Sequence, residues 1–465
     1  MEILCYNESV KFMYKGTLCP IMSENQIKIG MMSLGCPKNQ CDAELLLFRL
    51  REAGYEIVAD VADADCAIVN TCGFIESARE ESVEEIIELG KLKADGKIKA
   101  IVVTGCLAER YRDEILTEMH EVDAVCGIGA NGDIAEVIKS ALSGDRISKY
   151  GEKEDLPLSG GRVITTPGYF AYLRISEGCS NCCSYCAIPS IRGKYRSRPF
   201  DEIIHEAKIL AGRGVKELVV VAQDTTRYGD DLQSGETLSK LLSELCKINS
   251  IEWLRVLYCY PDRIDDELLS VIASEDKICK YMDIPLQHCN GDVLRAMNRS
   301  GDKESLINLI NHIREMVPGI ALRTTVMVGF PGETRAQMTE LCEFIREAKF
   351  ERLGCFVFSP EEGTAAEKLP GRVSEKEGLR RQEIVMDEQS RAVDAWCDSM
   401  TGKQVTVLVE GYDRLAEMCY GRTQWDSPEI DCKVFFTSDQ GITEGDFVTV
   451  EITDRMDCDL IGERI

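Results

Sequence analysis

Short apolar runs alternate with amphipathic segments along most of this chain. Over residues 25 to about 145, the runs IKIGMMSL, DCAIVNT, KAIVVTG and VDAVCGIG are typical of buried parallel strands. The segments between them carry the apolar spacing of helices. Strand alternating with helix predicts a parallel sheet covered by helices on both faces. We therefore predict an N-terminal α/β domain over residues 26–145, followed by a polar, glycine-containing linker over 146–165.

The alternation resumes with longer units over residues 166–398. Six candidate strands are YFAYLRIS, ELVVVAQD, WLRVLYCY, YMDIPL, LRTTVMVG and RLGCFVFS. Parallel strands need crossover helices, so these β/α units predict an open, partial barrel of the TIM type. One connecting helix is predicted over 379–400. Residues 399–465 switch to short β-branched runs separated by Gly or Asp, which predicts a small β-barrel.

The first 25 residues lack a basic start followed by an apolar core and a small-residue cleavage site. We predict a disordered extension there, not a signal peptide. No apolar stretch approaches the length that spans a bilayer, so we expect no membrane partner and a cytoplasmic location.

Cysteine usage narrows the chemistry. The chain has 22 cysteines but only four histidines, which are widely separated. In a reducing compartment, clustered thiols indicate metal or redox chemistry and not disulfides. If the chain binds a metal, sulfur is therefore the expected ligand.

The stretch CSNCCSYC, residues 179–186, follows the first strand of the predicted partial barrel. Cys179, Cys183 and Cys186 have CxxxCxxC spacing, and three thiolates on one loop suit three irons of a 4Fe–4S cluster with the fourth iron left open. Cys182 breaks the spacing and is interpreted as a bystander. A structural zinc site is the less favoured alternative, because no second CxxC pair supplies the fourth ligand.

Three N-terminal cysteines follow predicted strands: Cys36 in SLGCPKN, Cys72 in VNTCGF and Cys106 in VTGCLAER. Open parallel sheets bind ligands beyond the carboxyl ends of their strands, so these thiols are expected to converge on one edge. Buried packing would explain any one of them, but three equivalent positions favour a second three-thiolate cluster. Small buried hydrophobes remain the better interpretation of three other cysteines, Cys41, Cys66 and Cys126.

The CxxxCxxC loop, with Tyr185 before its last cysteine, resembles the radical S-adenosylmethionine (SAM) superfamily. With the second cysteine set and the C-terminal barrel, residues 27–465 resemble its methylthiotransferases, in which that barrel is a TRAM domain. Six strings carry the resemblance to the branch that modifies an aspartate of the small-subunit ribosomal protein S-twelve (uS12): SLGCPKNQCDAE (33–44), NTCGFIESAREES (70–82), LRISEGCSNCCSYCAIPSIRGKYRSRP (173–199), AQDTTRYGDDL (222–232), DIPLQH (283–288) and GRTQWDSPEID (421–431).

The resemblance implies two 4Fe–4S clusters, with SAM as co-substrate. It implies that the Cys179, Cys183 and Cys186 cluster cleaves SAM to a 5′-deoxyadenosyl radical. The Cys36, Cys72 and Cys106 cluster then carries the sulfur, methylated by a first SAM, to the β-carbon of the target aspartate. An external electron donor and a sulfur source are implied as further partners.

Other positions have two interpretations. Gly329 and Glu333 in VMVGFPGET, and Gln223 after ELVVVA, are candidate SAM contacts or parts of strand-to-helix turns. Tyr185 either packs on the adenine or shields the cluster. His288 either lines the cavity or is a satisfied buried histidine, which is the favoured interpretation. A basic run either binds an acidic group or is a solvated face: Arg192, Lys194, Arg196 and Arg198.

Two other functions compete with modification of uS12. A tRNA adenosine methylthiotransferase would share all six cysteines, but RNA recognition asks for a positive surface with aromatics. This chain carries a net charge of −26, and residues 400–465 hold 6 Lys and Arg against 14 Asp and Glu. Nucleic acid is therefore not the expected substrate, and a basic protein suits the charge better. An electron carrier is the third alternative, but it predicts fully ligated clusters.

Overall fold

The computed structural model describes residues 26–439 and 441–465, so the predicted extension over residues 1–25 lies outside the described residues. The chain divides into two compact units. The first comprises residues up to Thr165 together with Ala187–Lys194, and the second comprises Thr166–Cys186 together with Tyr195–Ile465.

The first unit is built on a six-stranded sheet, in which every pairing is parallel and the order is β2-β1-β3-β4-β5-β6. Its strands are β1 (Lys28–Ser33), β2 (Glu56–Val58), β3 (Cys66–Thr71), β4 (Ala100–Gly105), β5 (Ala124–Cys126) and β6 (Ile147–Lys149). Its helices are α1 (Pro37–Glu52), α2 (Glu76–Ala94), α3 (Cys106–Tyr111), α4 (Asp113–Glu118), α5 (Ile134–Leu142) and α6 (Ile188–Arg192).

Two clusters of buried apolar side chains explain why the central strands of this unit are apolar at nearly every position. β3 and β4 are buried at every position, since apolar side chains from both of their faces enter one cluster or the other. Helices therefore cover both faces, as the continuous apolar runs predict. Two local differences appear. Residues 146–165, predicted as a linker, contain β6, and the helical segment between β4 and β5 is divided into α3 and α4 at Arg112, whose φ is +45°.

The second unit begins with a six-stranded parallel sheet of order β14-β13-β12-β11-β10-β7, with a short two-stranded ribbon of β8 and β9. Its strands are β7 (Phe170–Arg174), β8 (Ser176–Glu177), β9 (Arg196–Ser197), β10 (Glu217–Val221), β11 (Trp253–Val256), β12 (Ile278–Gln287), β13 (Ala321–Val328) and β14 (Arg352–Val357). Its helices are α7 (Phe200–Gly212), α8 (Leu238–Cys246), α9 (Asp266–Ser274), α10 (Gly291–Ala296), α11 (Lys303–Met316), α12 (Arg335–Ala348) and α13 (Glu375–Asp398). The six main strands match the six predicted runs, and the open β/α architecture is confirmed.

The C-terminal segment closes into a five-stranded barrel of order β15-β16-β17-β19-β18. Its strands are β15 (Gln404–Asp413), β16 (Met418–Arg422), β17 (Val434–Thr437), β18 (Phe447–Met456) and β19 (Asp459–Arg464). The predicted small barrel is confirmed, but the sequence analysis missed β19. That strand is short and polar, and it joins the barrel through a parallel pairing with β17 and an antiparallel pairing with β18.

Charged contacts join this barrel to the parallel sheet of the same unit. The carboxylate of Glu217, at the start of β10, binds both Arg255 of β11, at 2.9 Å, and Arg422 of β16. Arg352 of β14 binds Asp426 at 2.5 Å. The barrel-side partners in these contacts, Arg422 and Asp426, both lie in the GRTQWDSPEID string, which therefore connects the two parts of the unit.

A membrane-spanning segment would need a long apolar helix. No helix within the described residues has both the length and the apolar character to cross a bilayer.

Candidate functional site

Three cysteines meet at the carboxyl edge of the first sheet. β1, β3 and β4 are neighbours in that sheet, in register Ser33↔Asn70 and Thr71↔Gly105. Cys72 follows β3 directly, Cys106 follows β4 directly, and Cys36 caps the start of α1. The topology therefore places the three thiols at one edge, as predicted.

Glycines allow the three loops to pack closely at this edge. A Cβ on Gly35 would lie 3.1 Å from the Sγ of Cys72, and a Cβ on Gly73 would lie 2.8 Å from the backbone of Cys106. Gly105 has φ +93°, and a Cβ there would lie 2.4 Å from the carbonyl oxygen of Thr71. These positions admit no side chain, which leaves the space at the edge to the thiols.

Burial dominates the electrostatics of these thiols. Together with the neighbouring Cys106 and Cys36 thiols, burial raises the pKa of Cys72 to about 12. Burial also raises the pKa of Cys106, against the opposing effect of Arg192. Three thiolates are stable here only with cations nearby, which is the environment that a bound metal cluster supplies.

Arg192, which the sequence analysis placed in a basic run that either binds an acidic group or is a solvated face, lies at this edge. Its guanidinium is buried, with Nη1 2.7 Å from the Asp42 carboxylate. Its Nη2 donates to Asn39 Oδ1 at 3.2 Å and to the Sγ of Cys106 at 3.3 Å. One fixed positive charge is thereby held against a candidate ligand.

Asn39 braces the loop that carries Cys36. Its side-chain amide donates to the carbonyl oxygens of Leu34, Asn70 and Thr71 at 2.7 to 3.3 Å. These bonds tie the end of β1 to the end of β3. The string SLGCPKNQCDAE contains both Asn39 and Asp42, so its match to known sequences was the available signal for them.

The second set lies on the loop after β8, within the second unit. Cys179, Cys183 and Cys186 are half-buried, and Cys182 is exposed with φ +53°. The segment after α10 holds the main chain of this loop, since Ser184 N donates to the Met297 carbonyl oxygen at 2.9 Å. Cys182 therefore faces away into solvent, in keeping with its interpretation as a bystander.

Arg299 places a guanidinium beside the Cys183 thiol, as Arg192 does beside the Cys106 thiol. Its Nη1 lies 3.7 Å from the Sγ of Cys183, and its Nη2 donates to the Pro285 carbonyl at 2.6 Å. The guanidinium also stacks over the ring of Tyr260 at 4.4 Å from the centroid. The sequence analysis related neither arginine to a cysteine, because the partners of both are distant in sequence.

The distances between the sulfur atoms of each three-cysteine set distinguish a site for a cluster from a site for a single metal ion. A tetrahedral zinc ion, with Zn–S bonds of about 2.3 Å, brings its thiolate sulfurs within about 3.8 Å of one another. Among the described residues, three His, Cys, Asp or Glu ligand atoms lie within 4.8 Å of one another only at Cys432, Cys458 and Asp459. Neither three-cysteine set meets this 4.8 Å limit. The wider spacing fits a 4Fe–4S cluster, because each thiolate of such a cluster binds a different iron.

A hydrogen bond to Glu177 links Gln223 to the start of the loop that carries Cys179, Cys183 and Cys186. Its side-chain amide donates to Glu177 Oε1 at 2.7 Å, and Glu177 also accepts from Gly178 N at 2.9 Å. The buried Oε1 of Gln223 has no hydrogen-bond partner in the structure. An unsatisfied polar atom at a strand end is the arrangement that a polar ligand completes.

Gly329 and Glu333 bind each other, since the Gly329 N–H donates to the Glu333 carboxylate. That carboxylate is buried, lies 3.0 Å from Arg381 and faces His288 Nε2 at 3.5 Å. Gly329 has φ +75°, as a tight turn requires. The contacts of both residues are those of a braced strand-to-helix turn, and their contact with SAM stays a prediction.

Tyr185 packs in an apolar cluster, whereas His288 is buried among polar groups. Tyr185 packs on the cluster of Val293, Met297 and Phe330, with its hydroxyl beside the Cys183 thiol. Burial raises the pKa of this phenol well above its usual range. His288 is fully buried and its Nδ1 accepts from Asn290 N at 2.9 Å, but its Nε2 has no hydrogen-bond partner among the described residues, so this histidine is buried and only half satisfied. The three cysteines interpreted as small buried hydrophobes are buried as well: Cys41, Cys66 and Cys126.

The basic run is not one surface. Arg192 and Arg198 are both about 2% exposed, and Arg198 binds Glu206 at 2.7 Å. Only Lys194 is exposed, while Arg196 is partly buried. Half of the run is therefore internal, which rules out the interpretation of the whole run as a solvated face.

An open polar cavity lies beside the second cysteine loop, within the second unit. Its volume is about 540 Å³, within the usual range for small-molecule sites. Its lining residues are Ser180, Asn181, Tyr260, Asp262, Arg263, Asn298 and Ser300. Hydrogen-bonding and charged groups dominate this lining, so the cavity suits a polar ligand.

Known families match three successive parts of the chain. Residues 28–127 match the uncharacterized protein family UPF0004, residues 173–345 match the radical SAM superfamily, and residues 401–465 match the TRAM domain. The solved structure of the radical SAM methyltransferase TsrM from Kitasatospora setae, with cobalamin and a 4Fe–4S cluster bound, has a TM-score of 0.53. It is 15% identical and covers 72% of this chain and 75% of that chain, so the likeness concerns the fold alone.

Curated relatives match nearly the whole chain. The ribosomal protein uS12 methylthiotransferase RimO of Clostridioides difficile (strain 630) is 47% identical over 443 residues, which is 94% of this chain and 98% of the relative. The enzyme of the same name from Trichlorobacter lovleyi is 46% identical over 446 residues, with the same two coverages. The chain therefore belongs to the RimO family of radical SAM methylthiotransferases.

Proposed function

We propose that this enzyme adds a methylthio group to the β-carbon of an aspartate in ribosomal protein uS12. The observation that carries the proposal is the match, at 44–47% identity over 94% of the chain, to relatives named for this activity. A tRNA substrate is not favoured, since those relatives are named for the ribosomal protein.

The enzyme uses SAM and two 4Fe–4S clusters. When bound, these groups supply the one-electron cleavage of SAM and the sulfur that is transferred, so the protein contributes binding, orientation and electrostatics. We propose that Cys179, Cys183 and Cys186 hold the cluster that cleaves SAM. Three further thiols would hold the cluster that carries sulfur: Cys36, Cys72 and Cys106.

Gly105 gives the first prediction. Gly105→Ala places a Cβ 2.4 Å from the carbonyl oxygen of Thr71 in a buried strand, at a φ of +93°. Backbone strain alone costs about 1–3 kcal/mol at such positions, and the clash adds to it. We expect the purified, reconstituted variant to hold about four irons per chain in place of about eight, because only one cluster assembles.

Gly54→Ala is the matched control for Gly105→Ala. Gly54 has φ +90°, but a Cβ there meets no atom within 4 Å. The control therefore carries backbone strain without the clash and should keep both clusters. A Gly105→Ala protein with a full iron content would show that close packing at this edge is not needed.

The second prediction concerns Arg192, which we regard as a residue that positions the Cys106 thiol. Arg192→Met leaves the buried Asp42 carboxylate without its cation, at a cost of about 3–5 kcal/mol. We expect a lower first thermal unfolding transition and loss of iron from the Cys106 set. Asp42→Asn in the same chain removes the stranded charge and should recover most of the stability. If the double variant is no more stable than Arg192→Met, the buried ion pair is not the cause.

The remaining contacts to SAM are also proposals. Gln223 is favoured because its Oε1 has no hydrogen-bond partner in the described part of the chain, while its amide nitrogen donates to Glu177. Tyr185 lies beside the Cys183 thiol and would shield the cluster from solvent. Gly329 and Glu333 would shape the turn that limits the SAM site.

The partners follow from charge and chemistry. A net charge of −26 suits a basic ribosomal protein and repels phosphate backbones. We propose an external electron donor for the clusters and a separate source of sulfur. We also propose that the enzyme acts in the cytoplasm, where its ribosomal substrate is made.

The test is an anaerobic assay of the reconstituted enzyme with SAM and a strong reductant. One arm offers a peptide that contains the target aspartate loop of uS12, and the other offers a tRNA anticodon stem-loop. We expect mass spectrometry to find a methylthio group on the peptide alone. Modification of the RNA alone would overturn the proposal and would show that charge does not select the substrate.

A further inference from the structure

A third group of cysteines lies in the C-terminal barrel, apart from the six cluster cysteines. One ligand atom each of Cys432, Cys458 and Asp459 lies within 4.8 Å of the other two. All three residues are half-buried, and the two thiols share a hydrogen bond. No other group of three such ligand atoms in the described chain is as compact.

The group lies where the barrel closes. β17 and β19 form the parallel pairing of the barrel, with Val434 opposite Leu460. Cys432 lies two residues before Val434, and Cys458 lies two residues before Leu460. The two cysteines therefore stand at equivalent positions in the segments that lead into the paired strands, and Asp459 begins β19 beside them.

The surroundings hold this group in place. Lys433 N donates to Asp459 Oδ1 at 2.7 Å, which leaves a second carboxylate oxygen for a ligand. The thiol of the buried Cys397, on α13, donates to the Cys458 carbonyl at 3.6 Å. The backbone on both sides of the group is therefore fixed by contacts that do not use its ligand atoms.

Charge also suits a divalent cation. Two thiolates and one carboxylate carry three negative charges, and a dication leaves one. The Lys433 ammonium acts on the Asp459 carboxylate and offsets part of that charge, while the guanidinium of Arg352, which acts on both thiols, is already paired with Asp426 at 2.5 Å. Two sulfur ligands and one oxygen ligand favour a borderline-soft ion over magnesium or calcium.

We propose that Cys432, Cys458 and Asp459 bind one zinc ion, which fastens β17 to the turn between β18 and β19. Binding releases the thiol protons to solvent and changes no oxidation state. A water molecule completes the tetrahedron, since three protein ligands leave one position open. The sulfur–sulfur distance of about 3.8 Å in such a site is close to the spacing already present.

The test uses the full-length enzyme with both clusters assembled, so that iron occupies the other cysteine sets. The protein is equilibrated anaerobically with buffered free zinc and desalted, and its iron and zinc are counted by mass spectrometry. We expect about one zinc and about eight irons per chain. Absorption at the zinc edge should give two sulfur neighbours at about 2.3 Å and two oxygen neighbours at about 2.0–2.2 Å.

Three variants locate the site. Cys432→Ser with Cys458→Ser should lose the zinc and keep the iron, and Asp459→Asn should weaken zinc binding at least about tenfold while it keeps the bond from Lys433. Cys419→Ser is the matched control, because Cys419 is a half-buried barrel cysteine outside the group. It should keep the zinc.

Two results would overturn the proposal. The first is a wild-type enzyme without zinc, or a double variant that retains as much zinc as the wild type. The second is a disulfide between Cys432 and Cys458 in anaerobically purified protein, found as a peptide pair that has lost two hydrogen atoms.

Discussion

Replacing one cysteine of either set is expected to abolish methylthio transfer, but by two separable routes. Cys183→Ser should remove SAM cleavage and methylthio transfer together, because an incomplete thiolate set cannot hold the cluster that binds SAM. Cys72→Ser should remove only transfer and leave reductive cleavage of SAM in place. The reason is spatial: the two sets lie on different units of the chain, each with its own supporting contacts.

The measurement is the amount of 5′-deoxyadenosine and of modified peptide formed by each variant, with iron counted in the same samples. We expect about four irons per chain in both variants and about eight in the wild type. Cys126→Ser is the control, because Cys126 is buried in the apolar core of the same sheet and is not in either set. If Cys72→Ser keeps full transfer activity, the assignment of the first set is wrong.

Glu217→Gln is expected to cause a large loss of stability in the second unit, although the change is isosteric. Glu217 is fully buried between Arg255 and Arg422, and the variant leaves Arg255 without its carboxylate and Arg422 with Glu410 alone. Breaking a buried pair in this way costs about 3–5 kcal/mol. Glu244→Gln is the control, since Glu244 binds Lys247 on the surface and such pairs contribute at most about 1 kcal/mol.

Tryptophan fluorescence during denaturant unfolding reports on this region. Trp253 of β11 packs edge-on against Phe447 of β18, with centroids 4.8 Å apart, and Trp396 packs against Trp425. All three tryptophans of the chain therefore lie where the parallel sheet meets the small barrel. Equal unfolding midpoints for Glu217→Gln and Glu244→Gln would contradict the account.

The pH dependence of this effect has a definite sign. Burial alone would raise the pKa of Glu217, but Arg422 and Arg255 outweigh burial and hold the pKa below its usual range. A carboxyl with a lowered pKa in the folded state contributes its stability above the unfolded pKa of about 4.3 and loses it as pH falls. The stability difference between wild type and Glu217→Gln should be constant from about pH 6 to 8 and should shrink below about pH 4.

The sequence predicted the sheet edge that gathers Cys36, Cys72 and Cys106. Continuous apolar runs identify buried parallel strands, and residues that follow neighbouring strands must share an edge. Gly105 adds a local signal, because glycine before a cysteine at a strand end indicates a tight turn. The loop of Cys179, Cys183 and Cys186 was equally accessible, since its spacing is local.

The buried arginines could not be predicted from the sequence. Arg192 and Asp42 are 150 positions apart, so no periodicity or local motif relates them. In the sequence, Arg192 stands in a basic run, and only the fold shows that it is internal. The strand β19 was missed for a related reason: its short, polar sequence becomes a strand only through pairing with β17 and β18.

The structure also weakens the argument that the acidic composition of the C-terminal barrel disfavours RNA. Counting 14 acidic residues over 400–465 treats all of them as surface. Three of these carboxylates bind arginines inside the unit: Glu410 with Arg422, Asp426 with Arg352, and Asp431 with Arg323. Composition therefore overstates the acidity of the barrel surface, and the family match is the stronger support for a protein substrate.

The most direct test of the account uses a uS12 peptide with deuterium at the β-carbon of the target aspartate. The reconstituted enzyme is given SAM and reductant, and both products are analysed by mass spectrometry. We predict that one deuterium moves into 5′-deoxyadenosine while the peptide gains a methylthio group at that carbon. A methylthiolated peptide that keeps both β-deuterium atoms, or 5′-deoxyadenosine that contains none, would contradict the proposed reaction at the β-carbon.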